Sequence, residues 1–334
     1  MIAERLEIGT PSGDSFGGIS PEVYLTQWPQ YILRLQDVYI GGGGAIYDSD
    51  FRLIPEANFT YAFWKNLHDE GRRPYSPGDL FDDIDEPSLR PSEVLELSPS
   101  INYIYGHTYY NIYVYGHLWD TFQDLYKINS LKLASKTLIT PKLTGHVVDL
   151  PIHFQLLGYN PSSILPLDLP PESTRVYRVP HLYYPSCSAY PSLVSASGAA
   201  RLRSSYFTLQ KPACLQHKLY LRRPNNNRGV INDKEVTEYL AEKGFTILDG
   251  TEGINSHVSL FRNASLLVGA HGALFKNLIF CKQSTSVLEF FPHNRVNTCY
   301  EGSAKLLGLN YKSLEVRGTD SHEITIPLST LKDL

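Results

Sequence analysis

His271 sits between Gly269 and Gly272 in the stretch LLVGAHGALFKN (Leu266–Asn277), where an apolar run stops and a new segment begins. A turn at that point uses glycine for its backbone angles but has no general need for imidazole. The chemistry these residue types fit is anion binding. Gly269 and Gly272 let the backbone approach a ligand, His271 can donate to a phosphate oxygen, and a helix opening after the turn offers free N–H groups and the positive end of its dipole. Arg222, Arg223 and Arg228 follow an earlier apolar run, KLYL, and guanidinium groups grip a diphosphate in two-pronged fashion. Glu289 closes a third run, TSVLEFF, where an acidic side chain suits ribose hydroxyls. Each feature alone has a plainer reading: a ligand-free strand–glycine–helix turn, a solvated strand end, a surface carboxylate. Their joint placement on one sheet edge is what points to a nucleotide-diphosphate pocket. G-x-G-x-x-G is absent, which disfavours a dinucleotide dehydrogenase.

The elements that must position these residues are regular from Lys218 onward. KLYLRR reads as a buried strand. NDKEVTEYLAEKG follows as a helix with Asn232 as N-cap, Glu235 three residues on, one face of Val236, Tyr239 and Leu240, and Gly244 as terminator. Then come FTIL (strand), SHVSLFRNA (helix), SLLVGA (strand), the histidine turn with LFKNLIF as a helix, TSVLEFF (strand), TCYEGSAKLLG (helix) and YKSLEV (strand). This β–α alternation over about 100 residues means a parallel sheet with helices on both faces. Ligands of such sheets bind outside the carboxyl ends of the strands, where the GAHGA turn lies.

The first half is irregular, dense in proline and tyrosine. Gly41–Gly44 lack the Gly-Lys-Ser/Thr of a phosphate loop and read as a hairpin turn. Glu70–Glu93 reads as an exposed loop. YGHLWDTFQDLYKI (Tyr115–Ile128) places Leu118, Phe122, Leu125 and Tyr126 at helical spacing. Residues 185–216, rich in Pro, Ser and Ala, read as a bridge.

Bulk properties agree with a two-domain α/β protein. The chain has 334 residues, 42% apolar and 19% charged, with a net charge of −4. That size exceeds one ordinary core, and that charge argues against a general binder of nucleic acid or anionic membranes. Cys187, Cys214, Cys281 and Cys299 form no C-x-x-C pair, so zinc and thioredoxin-type chemistry are not expected. No apolar stretch reaches signal-peptide or membrane-span form, so a soluble, cytoplasmic protein with no membrane span is expected. The 23 tyrosines suit half-buried sheet positions, and also polar sugar-binding grooves.

The segment YLRRPNNNRGVINDKEVTEYLAEKGFTIL…LFRNASLLVGAHGALFKNLIFCKQSTSVLEFFP…CYEGSAKLLGLNY resembles the C-terminal half of glycosyltransferase family 61. Members show an Arg-bearing strand end, a second Arg, Asn-Glu, then G.HGAGLTN, V.E and YE..A..LG..Y. The match is close over about 100 residues and loose before that, through GGGGAIYDSDFRLI and the YGHLWDTFQDL segment. The resemblance implies a GT-B fold, two Rossmann-like domains facing a cleft. It divides the chain into residues 1–200 (acceptor side), 201–320 (nucleotide-sugar side) and a tail, 321–334, packing back on the N-terminal domain. It implies inverting transfer from a nucleotide-diphosphate sugar, often UDP-linked, to a hydroxyl of a glycan or glycoconjugate. The donor-binding set is then Arg222, Arg228, Gly269, His271, Gly272, Ala273, Asn277 and Glu289. Leu274-Phe275-Lys276 replaces the family's Gly-Leu-Thr, and Asp233 its usual Glu.

An inverting transferase needs a base for the acceptor hydroxyl and positive charge for the departing diphosphate. With no metal-ligand cluster, Arg222, Arg228, His271 and the helix N-terminus supply that charge, and no cofactor is expected. His117 and Asp120, three apart on one helix face, match the family's His-x-x-acid position, with Asp120 as base and His117 beside it. Two other patterns compete. GDSFG (Gly13–Gly17) spells a nucleophile elbow but lacks the buried strand such an elbow needs. Asp48 and Asp50 fit the D-x-D of metal-dependent transferases, though aspartate equally favours a turn. A catalytically inert GT-B module that binds a glycan is the alternative from another class.

Overall fold

The computed structural model describes residues 3–7, 31–54, 57, 89–106, 119, 122, 124–125, 127–128, 131–133, 135–141, 150–156, 158, 160, 163–170, 172–186, 196–209, 217–223, 228–297 and 299–334. His107, His117, Asp120, GDSFG and most of Glu70–Glu93 lie outside the described residues. The described chain forms two compact units, one from the first half and one that takes Trp119 and everything from residue 196 on.

The first unit holds a mixed sheet. Its strands are β1 (Ala3–Glu7), β2 (Tyr31–Ile40), β3 (Ile46–Tyr47), β4 (Glu93–Glu96), β5 (Asn102–Tyr105), β6 (Lys136–Pro141), β7 (Ile164–Leu167) and β8 (Arg175–Pro185). The order is β1-β2-β8-β5-β6-β7, with β3 on β2 and β4 on β8. β5, β6, β7 and β8 run parallel, but β2 pairs antiparallel with β1, β3 and β8. The family resemblance implied a Rossmann-like domain here. The long antiparallel pair β2–β8 departs from it, because YILRLQDVYI buries Ile32, Leu35, Val38 and Ile40 without needing a crossover helix.

The glycine run is the hairpin turn it was read as. Gly42–Gly44 form a 3-10 turn between β2 and β3, with Gly43 and Gly44 at φ 65° and 85°, angles that favour glycine. Asp48 Oδ1 accepts the backbone N–H groups of Asp50 (2.8 Å) and Arg52 (2.9 Å), so it closes the next turn. Trp119, Phe122, Asp124 and Leu125 are helical, as the spacing predicts, and Phe122 meets Phe154 of α1 (Leu150–Leu156) edge-on. The ammonium of Lys127, fully buried, is held by Asp124 Oδ1 (3.0 Å) and the Ser186 carbonyl (2.6 Å).

The second unit begins with α2 (Ala196–Tyr206). That segment had been read as bridge from its small and polar residues; Ala199, Leu202 and Tyr206 lie at helical spacing and are all buried, which makes it part of the core. Then follow β9 (His217–Leu221), α3 (Asp233–Glu242), β10 (Phe245–Leu248), α4 (Ile254–Arg262), β11 (Ala264–Ala270), β12 (Ser286–Pro292), α5 (Cys299–Leu306) and β13 (Asn310–Val316). The five strands are all parallel in the order β10-β9-β11-β12-β13. The alternation read from the sequence is therefore the alternation of the structure. Gly244, at φ 79°, ends α3 as expected.

Three details differ. LFKNLIF lies in a 3-10 helix (Ala273–Phe280) rather than an α-helix, with most of its residues buried and no polar face. Asn232 stands at the N-cap of α3 but makes no side-chain cap bond. Its amide instead pairs with the backbone of Ile326 in both directions, Nδ2 to O at 2.9 Å and Ile326 N to Oδ1 at 3.0 Å. The tail, expected against the N-terminal domain, lies in this unit's own core: Ile324, Ile326 and Leu331 pack with Tyr220, Val236, Leu240, Val268 and Phe290. It covers the face of the sheet that α3 covers, and Phe275 covers the opposite face at Gly269.

Candidate functional site

The chain leaves β9, crosses through α3 to β10 on one side, then returns to β11 on the other. The edge between the carboxyl ends of β9 and β11 is thus the topological switch point, where open parallel sheets hold ligands. Arg222 and Arg223 leave β9 there, and Gly269 to His271 end β11.

Adjacent residues at a strand end point to opposite faces, and this separates the two arginines. Arg222 turns to α3, where its Nε and Nη2 both reach Asp233 Oδ2 at 2.7 Å. Its charge is neutralised by Asp233, so it is not the open cation expected of it. Arg223 turns the other way and donates through Nη1 to the His271 carbonyl. Its guanidinium is pushed down to about 10, chiefly by burial, then by Arg228 and Arg295. Arg228 is likewise pushed down by burial and by Arg295. Tyr300 works in the opposite direction on both. Among the described residues none of these three arginines is ion-paired.

A pocket opens at this edge, lined by Arg228, His271, Arg295, Asn297, His322 and Ile324, with Ala270, Phe290 and Pro292 behind them. It is basic on one side and apolar on the other. Arg228 was expected in it. Arg295 and His322 were not among the expected donor contacts; Arg223, expected to grip a diphosphate, reaches the His271 carbonyl beside the pocket. Arg295 carries a usable signal, since it follows a parallel strand by three residues. His322 carries none, because it arrives from the tail.

His271 lies at the centre. Its Nδ1 is 2.6 Å from Glu289 Oε1, and the Tyr311 hydroxyl donates to Glu289 Oε2 at 2.5 Å. The ring packs against Phe291 and Tyr300, with centroids 5.1 and 5.2 Å away. Glu289 is fully buried (0% exposed) with both oxygens engaged, so a role on ribose hydroxyls does not fit it. Asn277 is also buried: its Oδ1 accepts from Trp119 Nε1 (2.9 Å) and its Nδ2 donates to the Leu274 carbonyl (3.1 Å). It fixes the local fold rather than facing a ligand. Trp119→Phe is expected to cost about 1–3 kcal/mol, the usual loss for a stranded buried acceptor, with nucleotide affinity unchanged. Chemical unfolding and calorimetry on the variant check both halves.

The two glycines serve different ends. A Cβ on Gly269 would fall 2.7 Å from the Leu221 carbonyl oxygen, so this glycine lets β9 and β11 close on each other. A Cβ on Gly272 would fall 3.1 Å from Arg223 Nη1, so this one makes room for the guanidinium. Ala273 opens the 3-10 helix beside it.

A parallel α/β sheet with desolvated arginines at its switch point sets basic groups where open sheets of this class hold their ligands. The chain matches the family model for Glycosyltransferase 61 over residues 86–288, more than half its length, and belongs to that family. A curated relative, the alpha-1,3-arabinosyltransferase XAT3 of Oryza sativa subsp. japonica, is 24% identical over 131 residues, 37% of this chain and 23% of the relative. The match thus spans less than a quarter of that relative's length. Among the described residues no helix is long and apolar enough to cross a membrane.

Proposed function

We propose that this chain transfers a pentosyl group from a UDP-linked sugar to a hydroxyl of a glycan or glycoconjugate, with inversion and without a metal ion, in a GT-B arrangement. The acceptor oxygen attacks the anomeric carbon, the bond from that carbon to the β-phosphate oxygen breaks, and UDP leaves with the electron pair. Asp120 takes the acceptor proton, with His117 beside it; their support is the match to the family's His-x-x-acid position. The pentose rests on the name of the rice relative.

The observation that carries the reading is the group of Arg223, Arg228 and Arg295 around His271, three guanidinium groups that no carboxylate among the described residues neutralises. A diphosphate dianion supplies the missing charge, and positive potential held in place before reaction stabilises the leaving group most effectively. His271 is expected to contact the phosphates and Ile324 to pack beside the nucleoside.

Thermal unfolding with UDP, GDP, CMP and dTDP, each with manganese and with EDTA, tests it, because a ligand that binds only the folded state raises the midpoint by mass action. UDP is expected to stabilise the protein equally well in EDTA, and His271→Ala to remove most of that rise. Stabilisation abolished by EDTA would move the donor chemistry to a metal at Asp48 and Asp50. No response to any nucleotide would leave the inert glycan-binding module standing. Turnover of UDP-arabinose and UDP-xylose against UDP-hexoses then tests the pentose.

A further inference from the structure

Glu289, His271 and Tyr311 come from three adjacent strands. In the parallel register Gly269 lies beside Glu289, and Glu289 beside Ser313. His271 is two residues beyond Gly269, and Tyr311 two residues before Ser313. All three side chains therefore leave the same face, with the carboxylate between its two diagonal neighbours. The family-model match ends at residue 288, and Glu289 and Tyr311, which follow it, are the acid of the V.E segment and the last tyrosine of the YE..A..LG..Y segment.

The hydrogen-bond roles follow from the groups. A carboxylate only accepts, so Nδ1 of His271 carries a proton and donates it to Oε1. Burial and the Glu289 charge push the Tyr311 hydroxyl well above the ordinary tyrosine range, so it stays a donor to Oε2. Phe291 and Tyr300 pack against the imidazole ring. Nε2 is then the ring nitrogen with no hydrogen-bond partner among the described residues, on a residue that lines the pocket with Arg228 and Arg295.

We propose that Glu289 and Tyr311 are positioning residues that act on the donor phosphates through His271, by locking its ring with Nδ1 inward and Nε2 presented to the pocket. This rests on the pocket being the donor site. It predicts dependence of a particular kind: changes at Glu289 and Tyr311 matter to the nucleotide only while the imidazole is there.

A double-mutant cycle read by UDP calorimetry tests this. Glu289→Ala is expected to weaken UDP about tenfold or more and Tyr311→Phe about three- to tenfold, and both losses should shrink below about twofold in a His271→Ala background. Glu289→Gln, whose amide oxygen still accepts from Nδ1–H, should stay within about threefold of the parent. Tyr311→Phe removes a single hydroxyl from a half-buried side chain, so it gives an answer even where Glu289→Ala fails to fold. Equal losses with and without His271, or no loss from Tyr311→Phe and Glu289→Ala, would overturn the proposal. Arg295→Ala separates the levels. If it and His271→Ala both leave UDP affinity intact, the donor-pocket reading itself fails and takes this inference with it.

Discussion

Removing the charge of Arg228 and Arg295 together, as Arg228→Gln with Arg295→Gln, is expected to weaken UDP binding by about two orders of magnitude or more, at about 1.5–3 kcal/mol for each charge-assisted contact. The unliganded protein should unfold at the same temperature or higher. The two halves follow from one arrangement. Burial lowers the proton affinity of Arg223 and Arg228, and neighbouring charge adds to it, Arg228 and Arg295 acting on Arg223 and Arg295 on Arg228, so without a ligand the cluster opposes folding. A diphosphate reverses the balance, because each guanidinium gains an oxyanion and loses the effect of its neighbours. Glutamine keeps much of the side-chain stem, so packing changes little. Calorimetry with UDP and unfolding midpoints with and without UDP are the measurements. A variant that binds UDP as the parent does would remove the cluster from the donor site. A variant destabilised without ligand would show that the arginines serve the fold instead.

Gly269→Ala is the substitution expected to cost the fold most, about 3 kcal/mol or somewhat more, at the upper end for overpacking. The added carbon would lie 2.7 Å from the Leu221 carbonyl oxygen and 2.9 Å from the Leu221 Cβ, with Phe275 at 3.4 Å behind it. Leu221 is the register partner of Gly269, so neither atom can move without parting β9 from β11. Those strands carry Arg223 and His271, so UDP binding should fall along with stability. Gly272→Ala makes an informative contrast. There the one tight contact of the new carbon is the movable end of Arg223, with the Ala270 carbonyl oxygen at an ordinary 3.7 Å, so stability should change little while UDP affinity drops. Denaturant unfolding of the two variants separates them, and similar losses of stability in both would refute the distinction.

These contrasts show where the sequence is and is not readable. The five-stranded parallel sheet was legible because its central strands β11 and β12, buried on both faces, are near-continuous apolar runs, and Gly244 and the amphipathic α3 punctuate the alternation. The antiparallel character of β2 and β8 was not, since alternating apolar residues do not say which strand they will pair with. Arg222 and Arg223 are indistinguishable as letters; only the two-residue period of a strand sends one to Asp233 and the other to His271. Glu289 could have been read better, because the same period places it with Val287 and Phe291 on a buried face. Asn277 and Trp119 lie 158 residues apart, and no local pattern connects them. The 3-10 form of Ala273–Phe280 escaped because the segment is mostly apolar and buried, which fits any buried conformation.

The side of the pocket formed by His322 and Ile324 has a temporal meaning. These residues follow every strand of the parallel sheet along the chain, and they are held by the pairing of Asn232 with Ile326 and by the Ile324 contacts to Gly229 and Val230. During synthesis the whole sheet emerges before its binding edge is closed. A nascent chain stalled after β13 would display all five strands yet lack one side of the pocket, so any ligand of that pocket would act only on the last stage of maturation, not on the assembly of the sheet itself.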